Sequence, residues 1–292
     1  MEILKILRPG QWVKNLFVLL PLFFSGGITD WDMFFNSIVA FLAFCFISSS
    51  VYCINDIMDM DEDCHHPVKC LRPIASGTIS VSQGYLLAVS MFVLATIVML
   101  LLDDRALWPT AFVVTGYYVL SVAYCTILKR YAIIDVCIIA SGFVLRVLCG
   151  ALASDIRPSH WIVMMTFLLT LFLALAKRRD DVLRMNATGE PPRRNTMRYN
   201  LTFLNQAITI SACVTLVCYI MYTVSPEVTE RFDNGYVYIT SIFVIIGLLR
   251  YLQIVLVDEN SGDPTKVIVR DRFTQIVVIG WLLAFLIIIY RF

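Results

Sequence analysis

The chain reads as an all-α, polytopic membrane protein, and three observations lead there. Of its 292 residues 59% are hydrophobic and only 15% charged, with a mean hydropathy of +0.78; no water-soluble core needs that much apolar surface. The apolar residues fall into nine runs of spanning length, and the charges between those runs alternate strongly in sign bias from one side to the other. The same composition excludes disorder, which requires low hydrophobicity and high charge. Nine cysteines among 292 residues are too dilute for a disulfide scaffold. A net charge of +1 argues against nucleic acid as a partner.

A spanning helix needs about 20 mostly apolar residues, because the hydrocarbon layer is about 30 Å thick and each residue rises about 1.5 Å. The first expected span, 15–29, is the weakest, since Pro21 interrupts it and Gly26-Gly27 ends it. Without it the charges would not alternate. The others follow at 34–54, 84–102, 107–127, 132–153, 160–176, 204–224, 236–257 and 273–291. Seventeen of the 23 Lys and Arg then lie on one side; Arg105, Arg157, Arg231 and Arg291 lie on the other, and Arg146 and Arg250 fall within spans. The positive-inside rule makes the crowded side cytoplasmic, with the N-terminus inside and the C-terminus outside. The long loops 55–83, 177–203 and 258–272 are all on that side, where loop length points to function. The N-terminal residues lack a short apolar core with a small-residue cleavage site and read as mature protein. Seven cysteines sit in apolar runs and Cys64 and Cys70 in a loop, without any C-x-x-C; they read as small buried hydrophobes in a reducing compartment.

At the cytoplasmic end of the second span the sequence runs Asn55-Asp56-Ile57-Met58-Asp59-Met60-Asp61-Glu62-Asp63. If the helix continues, Asp56, Asp59 and Asp63 share one face, with Asn55 a turn before Asp59, while Asp61 and Glu62 point elsewhere. Three carboxylates on one face repel unless a cation sits among them, and hard oxygens in this number suit Mg²⁺ completed by substrate phosphates. Lys69 and Arg72 follow directly, so one loop offers a metal site and cations for a phosphate. His65 and His66, adjacent and without partners at ligand spacing, read as a turn before Pro67 rather than a zinc site.

The sixth span ends in Lys177-Arg178-Arg179-Asp180-Asp181. Arg193, Arg194 and Arg198 fit ordinary cytoplasmic anchoring, whereas Lys177 and Arg178 are placed to reach a polyanion held by the acidic loop, and Asp181 to add a further acidic ligand. In the fifth span Asp135 and Arg146 lie three turns apart on nearly one face; ionisable groups inside a membrane mark a site or a tie to another helix. Lys129 precedes that span and Tyr124 ends the fourth. The segment Arg8-Pro9-Gly10-Gln11-Trp12-Val13-Lys14-Asn15 has the composition of interfacial anchoring.

The Asn-Asp-x-x-Asp-x-x-x-Asp run at 55–63, closing the second of nine helices and followed by Arg72-Pro73-Ile74-Ala75-Ser76-Gly77, resembles the UbiA superfamily of membrane prenyltransferases. More narrowly, RPGQWVKN (8–15), HPVKCLRPIASG (66–77), LKRYAIIDV (128–136), GFVLRVLCGA (142–151), LRYLQIV (249–255) and VRDR (269–272) look like the decaprenyl-phosphate phosphoribosyltransferases among them. The resemblance spans nearly the whole chain. It implies one UbiA-like domain, 1–292, a helical bundle around a central cavity open to the cytoplasm and to lipid. It also implies an Mg²⁺-dependent enzyme. Typical prenyltransferases carry a second Asp-x-x-x-Asp motif after the sixth helix, which Lys177–Asp181 does not provide. More cations and fewer acids suit 5-phosphoribosyl diphosphate as donor and a polyprenyl phosphate as acceptor.

On that reading Asp56 and Asp59 are catalytic, Asp56, Asp59 and Asp63 hold Mg²⁺, and Lys14, Asn55, Lys69, Arg72, Tyr124, Lys129, Asp135, Arg146, Lys177, Arg178 and Asp181 contact substrate. The acceptor phosphate is already anionic, so no strong general base is required. Prenyl transfer from a polyprenyl diphosphate to an aromatic or quinone-precursor acceptor is the alternative within the superfamily. A transporter built on Asp135 and Arg146 would need broken helices in matching halves, and Pro21 is the one interruption in view.

Overall fold

Asp30 starts the most buried of the described long helices: its carboxylate accepts from the Asp32 and Met33 amides, and α3 (Trp31–Met58) runs from there. Side-chain caps open other long helices in the same way, with Ser80 and Gln83 forming a reciprocal capping box at α5 (Val81–Met99) and Asp103 at α6 (Asp104–Thr126). Ser159 caps α8 (His160–Thr188) and Asn200 caps α9 (Leu201–Thr223). The computed structural model describes residues 2–65, 68–189, 194–232, 235–259, 267 and 270–290. Among these, every regular element is helical. The expected turn at His66-Pro67, Arg193, Lys266 and Arg291 of the charge count, and Val269 of the VRDR segment lie outside the described residues.

The chain forms two compact units, Met1–Lys129 with Ser141–Pro158, and Arg130–Ala140 with Ser159–Phe292. In the first, α1 (Glu2–Leu7), a 3₁₀ run Pro9–Leu19, α5 and α6 pack on α3. Ser48, Ser49 and Ser50 on α3 are buried, and their small side chains let neighbours approach while their hydroxyls bond backbone carbonyls or side chains. Ser50 donates to the Ala88 carbonyl at 2.7 Å and Ser49 to that of Leu7 at 2.9 Å. In the second unit, α9 packs against α8 and α11 (Ser241–Leu256), and α11 against α12 (Arg272–Tyr290). Asp271 joins two segments singled out from the sequence: it pairs with Arg250 at 2.7 Å and caps α12 through the Thr274 amide. The Arg250 and Thr274 bonds hold its carboxyl far below the usual range.

Among the described residues seven helices are long and apolar enough to cross a membrane, including α7 (Ile134–Ala153) and the stretch Gly235–Leu256 that contains α11. α12 is apolar over a shorter stretch, Arg272–Ile288. The first expected span, 15–29, is not one helix. It comprises the end of the 3₁₀ run, the six-residue α2 (Leu20–Ser25) and a second 3₁₀ turn Gly27–Thr29, with Gly26 left-handed at φ 76°. Pro9 and Pro21 remove amide donors, and side chains hold the segment instead. Trp12 donates from Nε1 to Ser49 Oγ at 3.0 Å, and Asn15 donates to Cys45 Sγ at 3.3 Å. The helix expected to end near 176 continues as α8 to Thr188, about 18 Å further along the axis. The expected basic loop therefore begins as helix, so its side chains follow a helical period.

One glycine makes the 3₁₀ run possible. A Cβ on Gly150 of α7 would lie 1.7 Å from the Val18 carbonyl oxygen, so only glycine permits this backbone approach. Gly150→Ala is expected to destabilise the protein by about 1–3 kcal/mol, the cost of overpacking. Gly10→Ala, where nothing lies within 4 Å, serves as the control. Thermal unfolding of the two variants in detergent checks this; equal midpoints would contradict it.

Candidate functional site

The helix does continue through the acidic run. Asp59 donates its amide to Asn55 and Asp63 donates to Asp59, so helical bonding carries past Asp59 into the short α4 (Met60–Cys64). Asp56 and Asp63 are each 2% exposed, whereas Asp61 and Glu62 are exposed. The loop that follows is wound around one carbonyl. Pro73 O accepts from Thr78 Oγ1 and from the Ile79 amide, both at 2.9 Å, and Gly77 takes φ 74° to close the turn. That knot presents Arg72, whose Nη1 lies 2.5 Å from Asp63 Oδ2 and 3.3 Å from Asp56 Oδ1. Lys69 approaches Asp63 at 3.8 Å. Lys129 pairs with Asp59, which also accepts from Asn55 at 3.0 Å. Asn55 in turn accepts from the Cys125 thiol.

The fourth cation is one the sequence had offered only as an anchor. Arg8 pairs with Asp56 Oδ1, and its guanidinium lies 5.2 Å over the Tyr52 ring. Its backbone is left-handed, φ 51° and ψ 56°, a conformation that costs a non-glycine residue of order 1–3 kcal/mol and persists only where surrounding contacts impose it. Sequence position gave no such signal, because Arg8 and Asp56 are 48 residues apart and meet only when the 3₁₀ run lies along α3.

Arg146 and Lys14 are also in this first unit. Arg146, 5% exposed, donates to Asn15 Oδ1 at 2.8 Å, to the Gly142 carbonyl at 2.8 Å and to the Tyr117 hydroxyl at 3.1 Å. The Phe44, Tyr117 and Phe143 rings lie within about 5 Å of its guanidinium carbon. Aromatic faces, rather than a carboxylate, compensate its charge. It thus acts as a tie between the 3₁₀ run, α6 and α7. Lys14 and Tyr124 are half-buried, Tyr124 against the unit's apolar core.

The second unit carries its own polar cluster. Asp135, fully buried, accepts from Arg178 Nε at 2.7 Å, Asn195 Nδ2 at 2.8 Å and the Tyr199 hydroxyl at 2.8 Å. Arg178 also bonds Asp181 at 2.6 Å. Burial, together with the neighbouring Asp135 carboxylate, pushes the Tyr199 phenol far above its ordinary value. Arg179 is likewise buried, bonded to Asn205 and to the Val255 carbonyl. Helical continuation of α8 turns Arg178 inward, onto two carboxylates. Asp135 and Asp181 are both its partners, and half-buried Lys177 directly precedes it on α8.

The expectation of three carboxylates gathered around one ion also changes. Among the described residues no three His, Cys, Asp or Glu side chains converge as metal ligands. Arg72 bridges Asp56 and Asp63, and Lys129 holds Asp59. The donor chemistry nevertheless fits a hard divalent cation. Mg²⁺ takes one or two carboxylates and completes its shell with water and phosphate. Asp56 Oδ2 is buried without a hydrogen-bond partner, an arrangement costly enough to indicate a use.

A model of the UbiA prenyltransferase family matches residues 16–273. The decaprenyl-phosphate phosphoribosyltransferase of Mycolicibacterium smegmatis is 33% identical over 294 residues, covering 96% of this chain and 90% of that protein. The protein of the same name from Corynebacterium glutamicum is 30% identical, covering 98% and 86% respectively. Among solved structures, a UbiA homologue from Archaeoglobus fulgidus bound to GPP and Mg²⁺ superposes with a TM-score of 0.72 at 16% identity, covering 99% of this chain and 100% of that one. That likeness carries the fold.

Removing one partner of a buried ion pair leaves the other charge uncompensated and costs about 3–5 kcal/mol, whereas replacing both with apolar residues costs far less. Arg178→Met is accordingly expected to lower thermal stability sharply, and Arg178→Met combined with Asp135→Leu to recover much of the loss. A stable Arg178→Met protein that fails only in phosphate binding would support the substrate-contact reading.

Proposed function

The chain belongs to the UbiA prenyltransferase family, and we propose that it transfers the 5-phosphoribosyl group of 5-phosphoribosyl diphosphate to a polyprenyl phosphate, releasing diphosphate. The observation that carries this is the match to two decaprenyl-phosphate phosphoribosyltransferases over nearly the full length of each chain. The cation-rich acidic cluster supports it. Four basic side chains meet three carboxylates there, and the stretch Lys177–Asp181 lacks a second Asp-x-x-x-Asp. A donor carrying a diphosphate and a further phosphate suits such a surplus better than a prenyl diphosphate clamped between two acidic motifs.

We assign the donor's diphosphate to the Asp56, Asp59 and Asp63 cluster. Asp56 and Asp59, with Asp63, would hold Mg²⁺, whose chemistry there is to neutralise charge on the departing diphosphate. Arg72, Lys69 and Lys129 bind phosphate oxygens and stabilise charge that grows as the C1–oxygen bond breaks. Asn55 orients Asp59. Lys14, Tyr124 and Lys177 are candidates for the remaining phosphate contacts. The acceptor needs no deprotonation, because its phosphate oxygen is anionic at neutral pH, which fits a chain with no buried histidine among the described residues. Both units belong on this reading to one catalytic domain, 1–292. The interrupted segment 15–29 and α12 complete nine passes, and the charge bias places the N-terminus and the acidic run on the cytoplasmic side.

Membranes containing the protein should transfer label from 5-phosphoribosyl diphosphate to polyprenyl phosphate. Asp56→Ala and Asp59→Ala should each lower the rate about a hundredfold or more while leaving the protein inserted. Consumption of a labelled prenyl diphosphate, with no lipid-linked phosphoribosyl product, would overturn the assignment in favour of prenyl transfer.

A further inference from the structure

Four cations on three carboxylates leave this cluster with a formal surplus of positive charge before any ligand arrives. A divalent cation approaching it alone is repelled by Arg8, Arg72, Lys69 and Lys129, and a polyanion alone finds those cations already engaged by the acids. Each ligand removes the obstacle met by the other. Arg8 differs from the other three in how it is delivered. It stands on a left-handed residue at the start of a 3₁₀ run that side-chain bonds pin to α3, through Trp12 to Ser49, Ser49 to the Leu7 carbonyl and Asn15 to Cys45. Its guanidinium rests on Asp56 Oδ1, the same oxygen that Arg72 approaches, while Asp56 Oδ2 stays buried and unbonded. Arg8 is also 24% exposed at its side chain, against 1% for that of Asp56, so it has room to shift where the carboxylate has none.

We propose that Arg8 is an exchange cation of this site. It neutralises Asp56 in the protein alone and moves onto the diphosphate when a divalent metal takes the carboxylate, so that metal and diphosphate bind together much more tightly than either does alone. This rests on the donor-site reading given above and deepens it, because it assigns a role to a residue outside the acidic motif and an interdependence to the two ligands. Linkage requires the effect to be mutual: whatever factor the diphosphate contributes to metal affinity, the metal contributes to diphosphate affinity.

Equilibrium dialysis of the full-length protein in detergent, with radiolabelled Mn²⁺ and radiolabelled inorganic pyrophosphate, tests this without turnover. The wild-type protein should retain each ligand about 5–150-fold more tightly when the other is present, the usual range of coupling between sites. Arg8→Gln should bind Mn²⁺ alone more tightly than wild type, since a competing cation is gone, yet show weaker pyrophosphate retention and a smaller coupling factor. Arg8→Lys should restore wild-type behaviour in part. A residue that merely shaped Asp56 would give the opposite sign for Mn²⁺ alone, so looser or unchanged Mn²⁺ binding in folded Arg8→Gln overturns the proposal. Equal Mn²⁺ retention by wild type with and without pyrophosphate overturns it too, whatever the variants do. Coupling seen with pyrophosphate but no retention of 5-phosphoribosyl diphosphate would sink the donor assignment and leave the exchange intact. Turnover of that donor without coupling would do the reverse.

Discussion

A charge placed inside an apolar helix packing must be compensated by the protein itself, and the arrangement of this chain follows from how that requirement is met. Burying an ion in low-dielectric surroundings costs several kcal/mol unless another charge, a dipole or an aromatic face answers it. Arg72 answers two carboxylates at once, Asp56 and Asp63. Asp135 collects three donors. Arg146 meets no carboxylate among the described residues and is surrounded instead by Asn15, Tyr117, a carbonyl and three rings. Each solution joins segments distant in sequence, so compensation and tertiary structure are one problem here.

Close approach is the second element of the design. Ser48, Ser49 and Ser50 on α3, and Gly150 on α7, remove side-chain bulk where backbones meet, and an irregular 3₁₀ segment can then lie where a straight helix was expected. That segment ends at its N-terminal side in Arg8. Packing at Val18 and Gly150 is thereby connected to electrostatics at Asp56 through a short stretch of chain whose own hydrogen bonding is weak and whose side chains do the holding.

The two polar clusters differ in kind. In the second unit Asp135, Arg178, Asp181 and Tyr199 bond one another within a buried set that has two carboxylates to one cation, and Asn195 Oδ1 beside them is buried without a partner. In the first unit the charges are partly exposed, cations outnumber acids, and one carboxylate oxygen has no partner. A partly exposed cluster with cations in excess is suited to an anionic ligand. Exposure and the sign of the surplus, rather than the number of charges, distinguish the two.

Much was legible in the chain itself. Hydropathy and the thickness of a bilayer determine the membrane class and the middle spans, because both depend on composition over windows of about 20 residues. The acidic run on the end of α3 was readable for a similar reason: helical spacing puts Asp56 and Asp63 on one face whatever surrounds them. What remained hidden depends on contacts between remote residues. That α8 continues past 176 and turns Arg178 inward was decided by a buried partner 43 residues earlier, against local composition that favoured a solvated basic loop. That Asp59 meets a cation was decided by Lys129, 70 residues later. Arg8 entered the site only through the close packing of the 3₁₀ run on α3. Local periodicity decides which face a side chain occupies; which opposite charge reaches that face is a pairwise matter, and only the folded chain decides it.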